Sequence, residues 1–111
     1  MDPFGLTVYI AGPMTGMPDW NIPAFAECEA VLEELGADVV NPASRHVADL
    51  VEEGLLTREE VMAANIIRLV NLCDAVCLLP GWEGSAGAIC ERLVARQTGK
   101  VVFEYEELCD G

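Results

Sequence analysis

Ser85, Gly87 and Glu91 stand in the stretch PGWEGSAGAICE, residues 80–91, where an apolar run ends in a glycine-rich turn and a helix begins. Ser85 is a helix N-cap residue type, and glycines at 84 and 87 leave the first-turn N–H groups open to a bound phosphate or sugar. Glu91 follows within about 9 Å of the cap by helical rise, so its carboxylate can look back into the same space. A carboxylate set against such a site serves as a nucleophile or as an acid–base group. Most N-cap serines only cap, and most helical glutamates only face water, so the trio gains meaning from what surrounds it.

A second loop, GPMTG at residues 12–16, follows the first apolar run. It lacks the GK[ST] ending of a Walker A loop and the GxGxxG dinucleotide spacing, which leaves a tight turn or an anion nest. Gly12, Met14, Thr15 and Gly16 are its candidate ligand contacts. Tyr9, in the run before it, can offer a phenol that orients Glu91, although a buried tyrosine with one partner is the commoner case. Trp82 is a stacking wall for a flat ligand or an interface anchor, and Trp20 sits in a loop able to close as a lid. His46 has no visible Cys or Ser partner for a dyad, and Asp74 reads as the end of a turn.

These residues need elements to hold them. LTVYIA (6–11) is a buried strand stopped by Gly-Pro, and residues 22–35 form a helix with Phe25, Cys28, Val31, Leu32 and Leu35 on one face and Gly36 beyond its end. ADVVN (37–41) is a second strand, Ser44 caps a short helix to about residue 50, and Thr57-Arg-Glu-Glu60 is a capping box opening a helix through Leu69 to Cys73. AVCLL (75–79) is a strand covered on both faces, a helix runs from Ser85 to Thr98 with Gly99 as its stop, and residues 100–103 give a fourth strand. The acidic tail EYEELCDG is a short helix or a disordered end. Alternating strands and helices without hairpin signals imply one α/β domain over residues 1–111: a Rossmann-like three-layer sandwich with a four- to five-stranded parallel sheet. In such a sheet ligands bind at the carboxyl ends of the strands, so the loops after the first and third strands are expected to face one another across a crevice.

The totals bound the partners. With 111 residues, 52% of them apolar, and a net charge of −13, the chain packs as a single globule that repels phosphate backbones and anionic lipid surfaces. A nucleic acid polymer and a membrane are thereby disfavoured, while an anionic small molecule held by backbone N–H groups is not. Five cysteines (28, 73, 77, 90 and 109) contain no CxxC pair and have one histidine beside them, which fits neither a disulfide framework nor a zinc site. Cys28, Cys77 and Cys90 fall in apolar patterns and are expected to be buried in a reducing, cytoplasmic setting. No leader and no long apolar run points to a membrane.

VYIAGPM (8–14), VNP (40–42) and CDAVCLLPGWEGSAGAICE (73–91) resemble the nucleoside 2-deoxyribosyltransferase superfamily, in particular its small phage and bacterial members, over residues 6–103. The resemblance is most specific in the spacing of Ser85, Gly87 and Glu91. It implies cleavage of the N-glycosidic bond of a nucleoside or its 5′-monophosphate, with Glu91 as nucleophile at C1′ and Tyr9 holding the carboxylate. Ser85 and Gly87, with Thr15 and Gly16 opposite, would receive a 5′-phosphate; water or a second base would complete hydrolysis or transfer. No metal or other cofactor is implied, and a homodimer or higher homo-oligomer is. The chain departs from the family at one place: the aspartate that helps protonate the departing base is replaced by Ile66, with Asn65 as the nearest polar side chain. Either another acid serves, with Asp19, Asp49 or Glu83 as candidates, or the chain is a nucleotide-binding module with little catalysis.

Overall fold

Alternation along the first strand decides which layer each side chain joins. In the computed structural model, which describes residues 1–109, β1 (Thr7–Ala11) sends Val8 and Ile10 to one face and Tyr9 and Ala11 to the other. The remaining elements are α1 (Ile22–Glu34), β2 (Asp38–Val40), α2 (Arg45–Glu52), α3 (Arg58–Leu72), β3 (Ala75–Leu78), α4 (Ala86–Gln97), β4 (Val101–Glu104) and α5 (Tyr105–Cys109). All four strands pair in parallel, in the order β2-β1-β3-β4. The expected Rossmann-like sandwich is therefore present, with four strands among the described residues.

On one face Val8, Ile10, Ala75, Cys77 and Leu79 pack with Phe25, Cys28 and Leu32 of α1, and Tyr105 and Leu108 of α5 lie against this cluster. On the other, Tyr9, Ala11, Val76 and Leu78 meet Leu69 of α3 and Ala88 and Ala95 of α4. Burial of this apolar area is the main stabilising contribution, at roughly 25 cal/mol per Å². The tail reads as helix through residue 109; Asp110 and Gly111 lie outside the described residues.

Two expectations are corrected. Leu35 is 40% exposed, because it is the C-cap beyond the last turn of α1. Cys90 is exposed while Cys73 is buried, because the buried arc of α4 is Ala88, Glu91 and Ala95, and Cys90 sits about 100° off it. Ile89 and Leu93 lie on that helix's exposed side for the same reason. The Asp74 side chain reaches the neighbouring strand: Oδ2 accepts from the Thr7 N–H at 2.9 Å, tying the start of β1 to that of β3.

Because β1 and β3 are neighbours, the loops that leave them start side by side. The Leu79 N–H donates to the Ala11 carbonyl at 2.8 Å, which brings Gly12 against Leu79. A Cβ on Gly12 would lie 2.8 Å from Leu79 Cβ. Gly12→Ala should therefore lower stability by about 1–3 kcal/mol in urea unfolding. An unchanged midpoint would mean that β1 and β3 part without cost at the crevice.

Candidate active site

Sheet order places a crevice between β1 and β3, where the direction of strand progression reverses. A cavity of about 760 Å³ opens there, lined by Gly12, Pro13, Met14 and Thr15 from one loop and Gly84, Ser85, Ala86, Gly87 and Ala88 from the other. The two loops face one another as the sequence implies. The third wall is α2 and the segment before it, with Pro42, Ser44, Val47, Ala48 and Val51; the fourth is α3, with Arg58, Glu59, Met62 and Asn65.

Ser85 caps α4, its hydroxyl accepting from the Ala88 N–H at 3.2 Å. This cap leaves the N–H groups of Ala86 and Gly87 directed out of the first turn, where the helix dipole favours a negative ligand group. A Cβ on Gly87 would lie 3.1 Å from Met62 Cε, so a side chain there would press on the α3 wall.

Glu91 lines the cavity yet is only 5% exposed. The Tyr9 phenol, fully buried on β1, donates a hydrogen bond to Glu91 Oε2 from beneath. Burial pushes the Glu91 carboxyl up to about 7, an effect the Tyr9 hydrogen bond partly offsets. Burial, and then the adjacent carboxylate, push the Tyr9 phenol far up, so it remains a neutral donor.

Gly12, Met14, Thr15, Ser85, Gly87 and Glu91 thus come together, with Tyr9 behind Glu91. Gly16 and Trp82 are not among the lining residues. Gly16 sits at φ 82° in the turn beyond Thr15. The Trp82 indole is engaged elsewhere: Nε1 donates to Glu104 at 3.0 Å, and the Arg92 guanidinium lies 5.1 Å over the ring. Asp19, Asp49 and Glu83 also stay off the cavity wall, and Arg45 forms ion pairs with the first two.

Trp20 does reach the cavity. It lies in a left-handed run, with φ of 53° at Asp19 and Trp20 and 60° at Asn21. The run is tied down by Trp20 Nε1 donating to Glu52 at 2.7 Å and Asn21 Nδ2 donating to the Pro13 carbonyl at 2.9 Å. Sequence reasoning passed over Arg58 and Glu59. Their signal was the capping box, with Thr57 and Glu60 bonded reciprocally, which roots the first turn of α3 beside the cavity.

Glu91 carries a cost in stability that depends on pH. Its folded pKa is raised above the ordinary 4.5, so the native state holds a proton the unfolded chain has released; stability is full below the lower value and declines as pH rises through about 7. Glu91→Gln should match wild type near pH 4 and exceed it on the order of 3 kcal/mol near pH 8 in denaturant titrations. Equal stabilities at the higher pH would mean that Glu91 is hydrated rather than buried.

Comparison with curated proteins gives no match. A family model matches residues 6–104, nearly the whole of the sandwich and every residue of the cavity named above, and the chain therefore belongs to the family described as a domain of unknown function, DUF4406.

Proposed function

We propose that the protein cleaves the N-glycosidic bond of a nucleoside or its 5′-monophosphate, with Glu91 as the nucleophile, by hydrolysis or base transfer. The observation that carries this reading is a buried carboxylate, held by Tyr9, on the wall of a cavity that also receives the N-terminus of α4, where the Ser85 cap leaves the Ala86 and Gly87 N–H groups unpaired. Glu91 attacks C1′ and the base departs through an oxocarbenium-like transition state, leaving a glycosyl ester that water or a second base resolves. A 5′-phosphate or sugar hydroxyl is taken by the N–H groups of Ala86 and Gly87 and by Thr15 opposite. The resemblance of Ser85, Gly87 and Glu91 to the deoxyribosyltransferase pattern supports the same chemistry.

A second reading is a nucleotide-binding module with little turnover. It is favoured by the carboxylates of the cavity: besides Glu91, Glu59 alone lines it among the described residues, and Glu59 is exposed. Self-association belongs to either reading. Ile67 on α3 is 60% exposed and Leu93 on α4 is 51% exposed, apolar surface that a second copy would cover.

Chromatography of free base from ribo- and deoxyribonucleosides and their 5′-monophosphates, with and without an acceptor base, separates the readings. Wild type should release base and Glu91→Gln should not. Because the nucleophile must be ionised, kcat/KM should fall as pH drops through about 7. Tyr9→Phe removes the hydrogen bond that favours the carboxylate and should move that limb upward. Binding detected by a raised melting temperature, with no base released from any substrate, would replace catalysis by the module.

A further inference from the structure

Asn65 lies in the middle of α3 and is 7% exposed. Its carboxamide makes no hydrogen bond to protein among the described residues, whereas no fully enclosed side-chain nitrogen or oxygen there lacks a partner. The amide is therefore open to the cavity it lines. It also lines a smaller adjoining space of about 320 Å³ toward Asn41 and Arg68, and so stands where the two meet. Because its polar atoms reach the cavity, the amide keeps its hydrogen-bonding capacity for whatever occupies that space, a ligand or a water.

The amide shares its cavity with one buried carboxylate, Glu91, which the proposed reaction uses as the nucleophile. Besides Glu91, the buried polar side chain on this wall is thus a neutral donor–acceptor pair. We propose that Asn65 holds the departing base, and that the site acts on imide-type bases, in which a ring carbonyl flanks an N–H, in preference to amino-substituted ones. This rests on the glycosidic reading above and adds the class of leaving group.

An imide pyrimidine offers a carbonyl oxygen beside the glycosidic nitrogen and an N–H next to that carbonyl. Nδ2 donates to the first and Oδ1 accepts from the second. An aminopyrimidine offers a carbonyl oxygen and a bare ring nitrogen along the same edge, so Oδ1 faces a lone pair. As Glu91 forms its bond to C1′, the C1′–N bond breaks and its electron pair spreads from the ring nitrogen to the carbonyl oxygen. The Nδ2 hydrogen bond strengthens as that charge develops, which lowers the barrier without proton donation from the protein. An imide carries the charge over two carbonyl groups and leaves as an anion, taking its proton from water. A second water then attacks C1′, its oxygen staying on the sugar and its proton passing to solvent, and Glu91 is freed. The sum is substrate plus one water giving sugar and neutral base.

The test is kcat/KM on 2′-deoxynucleosides and their 5′-monophosphates carrying uracil, thymine or cytosine, and on the matching 4-nitrophenyl 2-deoxyribosides, whose phenolate leaves unaided. Wild type should favour uracil over cytosine by about 100-fold, because a polar site rejects a mismatched edge strongly. Asn65→Ala should lose about 100-fold on uracil and less than about threefold on the nitrophenyl compounds. Asn65→Asp, nearly isosteric, sets a carboxyl kept protonated by burial beside Glu91 against the bare ring nitrogen of cytosine, to which its O–H donates; it should shift preference toward cytosine by about tenfold or more, and decides the matter should the alanine variant fail to fold. Equal use of uracil and cytosine by wild type, an unchanged ratio in Asn65→Asp, or equal losses on all substrates in Asn65→Ala overturns the assignment while leaving the glycosidase in place. Absence of Glu91-dependent nitrophenol release from wild type overturns the glycosidase itself, and this assignment with it.

Discussion

The site depends on one buried hydrogen bond, from the Tyr9 phenol on the first strand to the Glu91 carboxylate on the fourth helix. A carboxylate this enclosed is tolerated only where a donor meets it, and the strand alternation supplies that donor from the layer beneath. Small residues make the approach possible: Ala88 and Ala95 flank Glu91 on the buried arc of α4 and let the helix settle close to the sheet. Replacing Glu91 by an apolar residue would suit the core better. Buried carboxylates with perturbed titration on a cavity wall commonly coincide with functional sites.

A net charge of −13 does not make the cavity wall uniformly negative. The long-range field is repulsive, but at the cavity wall the acting groups are N–H dipoles of the α4 terminus and the Arg58 guanidinium. Both act over a few ångströms, inside the distance over which salt screens the distant carboxylates. A polyanion approaching along the whole surface meets the repulsive field first, whereas a group already inside the crevice meets these local donors.

Much of this was legible because its causes are local. The Thr57 capping box, the Ser85 cap and the apolar runs of β1 and β3 specify themselves within a few residues, and the parallel topology follows from their alternation. The burial of Glu91 was not legible from helix periodicity, because Ile89 and Leu93 advertise a core face that the tertiary packing leaves in water. Trp82 looked like a stacking platform, but Arg92 ten residues on and Glu104 on β4 occupy it. Arg58 and Glu59 were hidden because their approach to the cavity depends on the conformation of the chain between β2 and α3, which carries no strong local signal.

The left-handed run at Asp19, Trp20 and Asn21 illustrates the same limit and adds a physical consequence. Of the three, only Asn and Asp adopt this backbone with any ease, and each such residue costs about 1–2 kcal/mol. The ion pair between Asp19 and Arg45 is about half exposed on both sides and returns about 1 kcal/mol at most. Further compensation comes from Asn21, whose amide donates to the Pro13 carbonyl, and from Trp20, whose indole bonds to Glu52 and whose ring borders the cavity. A ligand packed against Trp20 would add to the contacts that hold the strained segment in place. The strained loop and the shape of the crevice thus meet at Trp20, a part of the wall whose local stability any occupant of the cavity would raise.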